Sequence, residues 1–239
     1  MKKKATLSGI KVGGITPFTT IDFPGRLAAV IYTQGCPWRC RFCHNGPLLD
    51  PTVETDVTWE DVLPFLSLRT GFLDGVVFSG GEPSFWPDLP SYIKAVREMG
   101  YDIALHTNGA YPERIKHFLE SRLLDMVALD IKAPFDDYEK ITGVAGSGKL
   151  ARESAGLLLA SGIDVEFRTT VHPDLLTPEE LRSMARELHD MGVKRYAVQK
   201  CRTEYSLDPA IRKEYQELDP FLEDLKVELE EMFPSFIVR

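Results

Sequence analysis

With 239 residues, 44% of them hydrophobic, the chain is long enough for one large α/β domain with a substantial core. A net charge of −8 without long basic blocks argues against nucleic-acid binding. The basic start Met1-Lys2-Lys3-Lys4 precedes an apolar run too short for a signal segment or a membrane span, and the four cysteines do not resemble a secreted disulfide framework, so a cytoplasmic protein is expected.

Residues 10–18 mix short apolar pieces with Gly and Pro and predict an edge strand with turns. After a turn over 20–26, the nearly continuous apolar run 27–33 suits the centre of a parallel sheet. Three of the four cysteines follow it, at C-x3-C-x2-C in Gln34-Gly35-Cys36-Pro37-Trp38-Arg39-Cys40-Arg41-Phe42-Cys43-His44-Asn45. Thiolates are soft ligands that favour iron–sulfur clusters or zinc. A structural zinc site takes four protein ligands, whereas His44 follows Cys43 directly and Cys201 is remote. The loop therefore reads as three ligands with one open position. A zinc site completed by Cys201 or His44 is the other reading, and Cys201 alone also reads as an incidental thiol.

Thr58 is placed to cap a helix through Leu66 that Pro64 kinks or shortens. The strand 75–79 empties into Gly80-Gly81-Glu82-Pro83, a tight turn taken alone. A helix over 89–99 closes at Gly100, and the strand 101–105 ends at His106-Thr107-Asn108-Gly109. Pro112 opens a helix to about Arg122, and the strand 126–129 ends at Asp130-Ile131-Lys132. A helix over 149–160 leads to the strand 165–171, which carries Arg168 and is followed by His172. Pro178 opens a helix to Met191, and 193–198 is the sixth strand of the alternating pattern. The tail 209–232 is charged and amphipathic with a break at Asp219-Pro220, and 236–238 is a further edge strand or packs on the base. Six strand–helix units give either a doubly wound sheet or a curved partial barrel, and periodicity does not choose between them. In both, loops at the carboxyl ends of strands carry the chemistry. Without repeats or linkers, 1–239 is expected to be one domain, with 1–26 and 202–239 as extensions.

The cysteine spacing after a hydrophobic strand resembles the radical SAM enzymes. That resemblance implies a (βα)6 partial TIM-like barrel with an open side. It implies that Cys36, Cys40 and Cys43 hold one 4Fe-4S cluster whose fourth iron is chelated by S-adenosylmethionine. An electron from the cluster then cleaves the sulfonium to methionine and a 5′-deoxyadenosyl radical, and no side-chain acid or base is required. In this setting Gly80, Gly81, Glu82 and Pro83 meet the amino group of S-adenosylmethionine, and Phe42 packs under adenine. Trp38 shields the cluster or anchors the loop. Lys132 and Arg168 meet the methionine carboxylate or the ribose edge, and Asn108 joins the cofactor contacts.

Thr20-Ile21-Asp22-Phe23-Pro24-Gly25-Arg26, together with the stretch from Gln34 to Asn45, narrows the resemblance to the activases of glycyl radical enzymes, and most to those of anaerobic ribonucleoside-triphosphate reductase. Asp22 is expected to organise the loop beneath the cofactor, and His44 to lie near the cluster or serve as a plain loop residue. The resemblance implies a glycyl radical enzyme as protein substrate and a flavodoxin or ferredoxin-like electron donor, with no nucleic acid or membrane as partner. It implies a single cluster, because the cysteine-rich insert of several activases is absent from the sequence. His106 stands where pyruvate formate-lyase activase has Asp, and 197–201 lacks a counterpart of its late histidine, so a formate-lyase partner is not expected. The alternatives are a radical SAM enzyme acting on a small molecule and a non-catalytic iron–sulfur or zinc module using Cys36, Cys40, Cys43 and Cys201.

Overall fold

The computed structural model describes residues 9–211 and 218–239; the basic start and residues 212–217 of the amphipathic tail lie outside the described residues. One sheet of eight strands follows chain order: β1 (Val12–Thr19), β2 (Ala28–Thr33), β3 (Gly75–Gly80), β4 (Asp102–Thr107), β5 (Met126–Asp130), β6 (Asp164–Val171), β7 (Arg195–Lys200) and β8 (Ser235–Val238). β1 pairs antiparallel with β2, and every later pair is parallel. The crossovers carry α1 (Trp59–Ser67), α2 (Leu89–Arg97), α3 (Pro112–Glu120), α4 (Tyr138–Thr142), α5 (Ser147–Ser161), α6 (Pro178–Asp190) and α7 (Leu218–Met232).

This order decides the question that periodicity left open. A doubly wound sheet needs a point where strand order reverses. Here each strand is laid beside its predecessor, and right-handed crossovers in one direction put the helices on one face, so the sheet curls into a partial barrel. The core divides accordingly. The larger apolar cluster joins outward strand residues such as Ile31, Phe78, Leu105 and Leu129 to helix residues such as Val62, Ile93, Ile115 and Leu181. The smaller one contains no helix residue and packs Phe23 against Ala28, Val30, Val77, Ala104 and Met126 inside the curl.

The registers stack the interior in layers. Val30, Val77, Ala104 and Met126 align across β2–β5 as a floor of small apolar groups. Higher up, His106, Ala128 and Glu166 align, and then Asp130, Arg168, Ala197 and Ile237. Barrel interiors are usually filled with branched apolar layers. Here only the floor is wholly apolar, and the upper layers bring in the charged and polar groups His106, Glu166, Asp130 and Arg168.

Local chemistry explains most element ends. Thr58 begins α1 with a capping box to Asp61, and α1 continues past Pro64 to Ser67 rather than stopping. Thr177 and Glu180 form the same device at α6, with Pro178 at the first helical position. The segment 236–238 belongs to the edge strand β8. The short helix α4, to which the sequence analysis assigns no element, occupies the β5–β6 crossover. Among the described residues, no helix is long and apolar enough to cross a membrane.

Candidate active site

A cavity of about 1080 Å³ opens at the carboxyl ends of the parallel strands. Its wall includes Cys36, Cys40, Cys43, Phe42, Gly80, Gly81, Glu82, Asn108, Lys132 and Arg168, so ten of the eleven residues expected at the site meet in one space. Pro83 is the exception: it is buried behind the wall as the first residue of a short 3-10 turn.

The cysteine loop is clamped from several sides. Leu49 O accepts from Cys36 N, and Thr142 and Ile141 at the end of α4 accept from Arg39 N and Arg41 N. The segment after β7 closes the other flank, with Leu207 N donating to Cys43 O and Arg41 paired to Asp208 at 2.7 Å. Beneath the loop, Gln34 is buried and its side-chain amide donates to Pro47 O and Asp50 O, while its backbone carbonyl accepts from the Trp86 indole at 2.6 Å. Trp38 is fully buried edge-on to Tyr138, 5.9 Å between centroids.

The two glycines at the end of β3 have a definite task. Gly80 has φ +119°, and a Cβ there would lie 2.3 Å from Thr33 N; one on Gly81 would lie 2.4 Å from Gly35 O. Their freedom from side chains therefore lets the β3 loop press against the backbone at the base of the cysteine loop, where Glu82 N donates to Gly35 O at 2.8 Å. Asn45 adds a side-chain bond to Gly80 O.

Glu82 is completely buried and accepts from four donors: Ser84 N (2.9 Å), Ser84 Oγ (2.5 Å) and Thr107 Oγ1 (2.8 Å) on Oε1, and Asn108 N (2.7 Å) on Oε2. Burial pushes its carboxyl up, and the four donors pull the other way. Glu82 thus ties the β3 loop to the β4 loop, a role the sequence does not reveal. Oε2 retains a lone pair for one further donor, as an ammonium would supply. Asn108 in turn donates from Nδ2 to Cys36 Sγ at 3.6 Å, a contact of the kind that tunes a metal-bound sulfur.

Lys132 is buried with Nζ 3.4 Å from Asp130 and 5.4 Å from the centre of the Phe42 ring. Burial alone would lower its ammonium, but Asp130, Cys40, Tyr138 and Cys36 outweigh that and hold it above its ordinary value. Arg168 points into the barrel, its Nε on Glu166 at 2.5 Å and its Nη1 3.2 Å from the His106 ring. The His106 Nε2–H donates to Asp22 O at 2.8 Å, and Arg168 Nη1 lies 3.2 Å from both ring nitrogens. Burial and then the Arg168 charge hold His106 well below its usual range, so the ring is neutral. Asp22 thus contributes its backbone carbonyl, while its carboxylate accepts from Thr19. His44 is exposed at the cavity rim, and Cys201 enters the cavity from the end of β7.

Burial pushes the Cys36 thiol up to about 12 and the Cys40 thiol to about 11, so they are neutral unless a cation displaces the protons. Three soft donors on one loop, a neighbouring lysine and an amide donor on one sulfur fit an iron–sulfur group with an open iron.

The radical SAM superfamily model matches residues 30–188, from β2 through most of α6. The chain belongs to the radical SAM superfamily. Membership brings a 4Fe-4S cluster and S-adenosylmethionine as cofactors and makes the chain an oxidoreductase-type enzyme. A Methanocaldococcus jannaschii protein described as a candidate glycyl-radical enzyme activating enzyme is 30% identical over 84% of this chain and 84% of its own length. The pyruvate formate-lyase-activating enzyme of Clostridium pasteurianum is 27% identical over 90% of this chain and 98% of its own. Among solved structures, Streptococcus suis SuiB bound to S-adenosylmethionine superposes with TM-score 0.68 at 16% identity; the match covers 88% of this chain and 49% of SuiB, so this radical SAM chain spans about half of SuiB. At that identity the superposition supports the fold alone.

Proposed function

We propose that the chain is an activase that generates a glycyl radical on a partner enzyme, and that the partner is an anaerobic ribonucleoside-triphosphate reductase. The observation that carries the activase reading is the shared cavity. Three thiols of one loop, the Glu82 carboxylate, Lys132 and Arg168 line a space of about 1080 Å³, above the usual few hundred to ~1,000 Å³ of a small-ligand pocket. It holds a cofactor and leaves room for an extended peptide segment. β1 and β8, the two ends of the sheet, are not paired with each other, which gives a segment a lateral way in. The relatives described as glycyl-radical enzyme activating enzymes and pyruvate formate-lyase-activating enzyme support the same class. The narrower choice of reductase rests on the stretches 20–26 and 34–45 and on His106, which fills a place held by Asp in the formate-lyase activase.

In this proposal Cys36, Cys40 and Cys43 hold the cluster, Asn108 donates to the Cys36 sulfur, and Trp38 with Tyr138 excludes water beneath the loop. Oε2 of Glu82 and the backbone of Gly80 and Gly81 receive the amino group of S-adenosylmethionine, and Lys132 and Arg168 receive its carboxylate and ribose oxygens. Phe42 offers an apolar face to adenine. When bound, cluster and cofactor supply the electron and the adenosyl radical chemistry that takes hydrogen from a glycine α-carbon. The residues of the chain bind, orient and desolvate, and none has to act as acid or base.

The test is to incubate the reduced, reconstituted chain with S-adenosylmethionine and, separately, with an anaerobic ribonucleoside-triphosphate reductase and a pyruvate formate-lyase. A glycyl radical signal on the reductase alone supports the whole proposal. A signal on the lyase alone overturns the choice of partner, and cofactor cleavage with neither radical shifts weight to a small-molecule substrate.

A further inference from the structure

Arg168 has one feature that its contacts with protein do not explain. A guanidinium offers three nitrogens in one plane. In Arg168, Nε is held by Glu166 at 2.5 Å and Nη1 by the His106 ring at 3.2 Å. Nη2 is buried without a partner among the described residues, and Arg168, only 5% exposed, lines the cavity. Two fixed edges set the plane, and the third edge then has one direction available. Glu166 is itself 2% exposed, and its Oε1 also accepts from Arg239 at 3.0 Å, a side chain tied in turn to Gln199. A carboxylate held from two sides is a rigid stop for the arginine. We propose that Glu166 is a positioning residue that aims Nη2 of Arg168 at an oxygen of the bound cofactor, a carboxylate or hydroxyl by chemistry. Glu166 touches no cofactor atom in this account and acts only through Arg168. The proposal rests on the cofactor role given to Arg168 above.

The experiment is a double-mutant cycle on the reconstituted chain, with S-adenosylmethionine titrated anaerobically and binding read from the resonance spectrum of the reduced cluster. Iron content and thermal unfolding of each variant are measured alongside. Glu166→Gln is expected to weaken binding about 10-fold, the scale of one misdirected charge-assisted hydrogen bond, with iron content unchanged. In an Arg168→Ala background the same substitution is expected to change the affinity no further. Equal weakening in both backgrounds, or wild-type affinity in Glu166→Gln, overturns the positioning role while leaving the cofactor role of Arg168 standing. Wild-type affinity in Arg168→Ala overturns both. Should Glu166→Gln fail to fold, Glu166→Asp keeps the charge, withdraws it by one methylene from Arg168 and serves in the same cycle with the same outcomes.

Discussion

Glu82→Gln tests how the two central loops are joined, because glutamine keeps the shape of the side chain and turns one acceptor into a donor. If the Gln oxygen faces the Ser84 and Thr107 donors, its NH2 meets Asn108 N–H. If it faces Asn108, its NH2 meets Ser84 N–H, which cannot turn away as the two hydroxyls can. In both orientations one buried backbone N–H loses its acceptor, at about 1–3 kcal/mol, and the remaining bonds are no longer charge-assisted, so a total of about 2–4 kcal/mol follows. For a domain of this size that lowers the unfolding midpoint by roughly 4–16 °C. Urea and thermal unfolding under anaerobic conditions measure it, and iron content is expected to fall with the loosened loops. The opposite expectation comes from burial, which pushes the carboxyl up. A protonated Glu82 already places a donor on one oxygen, and Gln would then substitute at little cost. A change within about 0.5 kcal/mol, the scale of an ordinary surface substitution, would refute the four-donor carboxylate.

Gly81→Ala places a Cβ 2.4 Å from Gly35 O, so the cysteine loop must shift, and the variant is expected to retain much less iron than wild type after reconstitution; full iron content would refute the close approach. Lys132→Ala is expected to keep its cluster and bind S-adenosylmethionine about 10- to 150-fold more weakly, read by anaerobic titration; unchanged affinity would remove Lys132 from the proposed site. His106 has a folded pKa below its unfolded value near 6.5. Above that value it contributes nothing to the pH dependence. As pH falls below it, the unfolded chain takes up a proton that the folded chain refuses, and stability drops by up to about 1.4 kcal/mol per pH unit. His106→Gln should therefore flatten the acid limb of a stability-against-pH curve, and an equally steep limb in the variant would contradict the neutral ring.

The sequence made the strand ends legible because each polar or glycine-rich turn followed an apolar run, and the site residues cluster at those turns. It marked Gly80 and Gly81 as a tight turn, and the structure adds that they bring the chain close to the backbone at the base of the cysteine loop. What it could not convey is pairing across the barrel. Glu166 and Arg239 lie 73 positions apart, and their contact exists only because β8 adds beside β7 and brings Arg239 level with Gln199. Glu82 was expected at the cofactor through the family resemblance, and a lone acidic residue in a turn carries no sign of four donors arriving from 84, 107 and 108. The helix α4 was missed because five residues are too few for a periodic pattern.

The central claim is that Cys36, Cys40 and Cys43 alone hold a 4Fe-4S cluster with an open iron that S-adenosylmethionine occupies. Electron paramagnetic resonance of the anaerobically reconstituted, reduced chain, with and without S-adenosylmethionine, tests it most directly when wild type is compared with Cys201→Ala. The account predicts a 4Fe-4S signal that changes on adding S-adenosylmethionine in both proteins. One tightly bound zinc with no such signal, or loss of the cluster in Cys201→Ala, would contradict it.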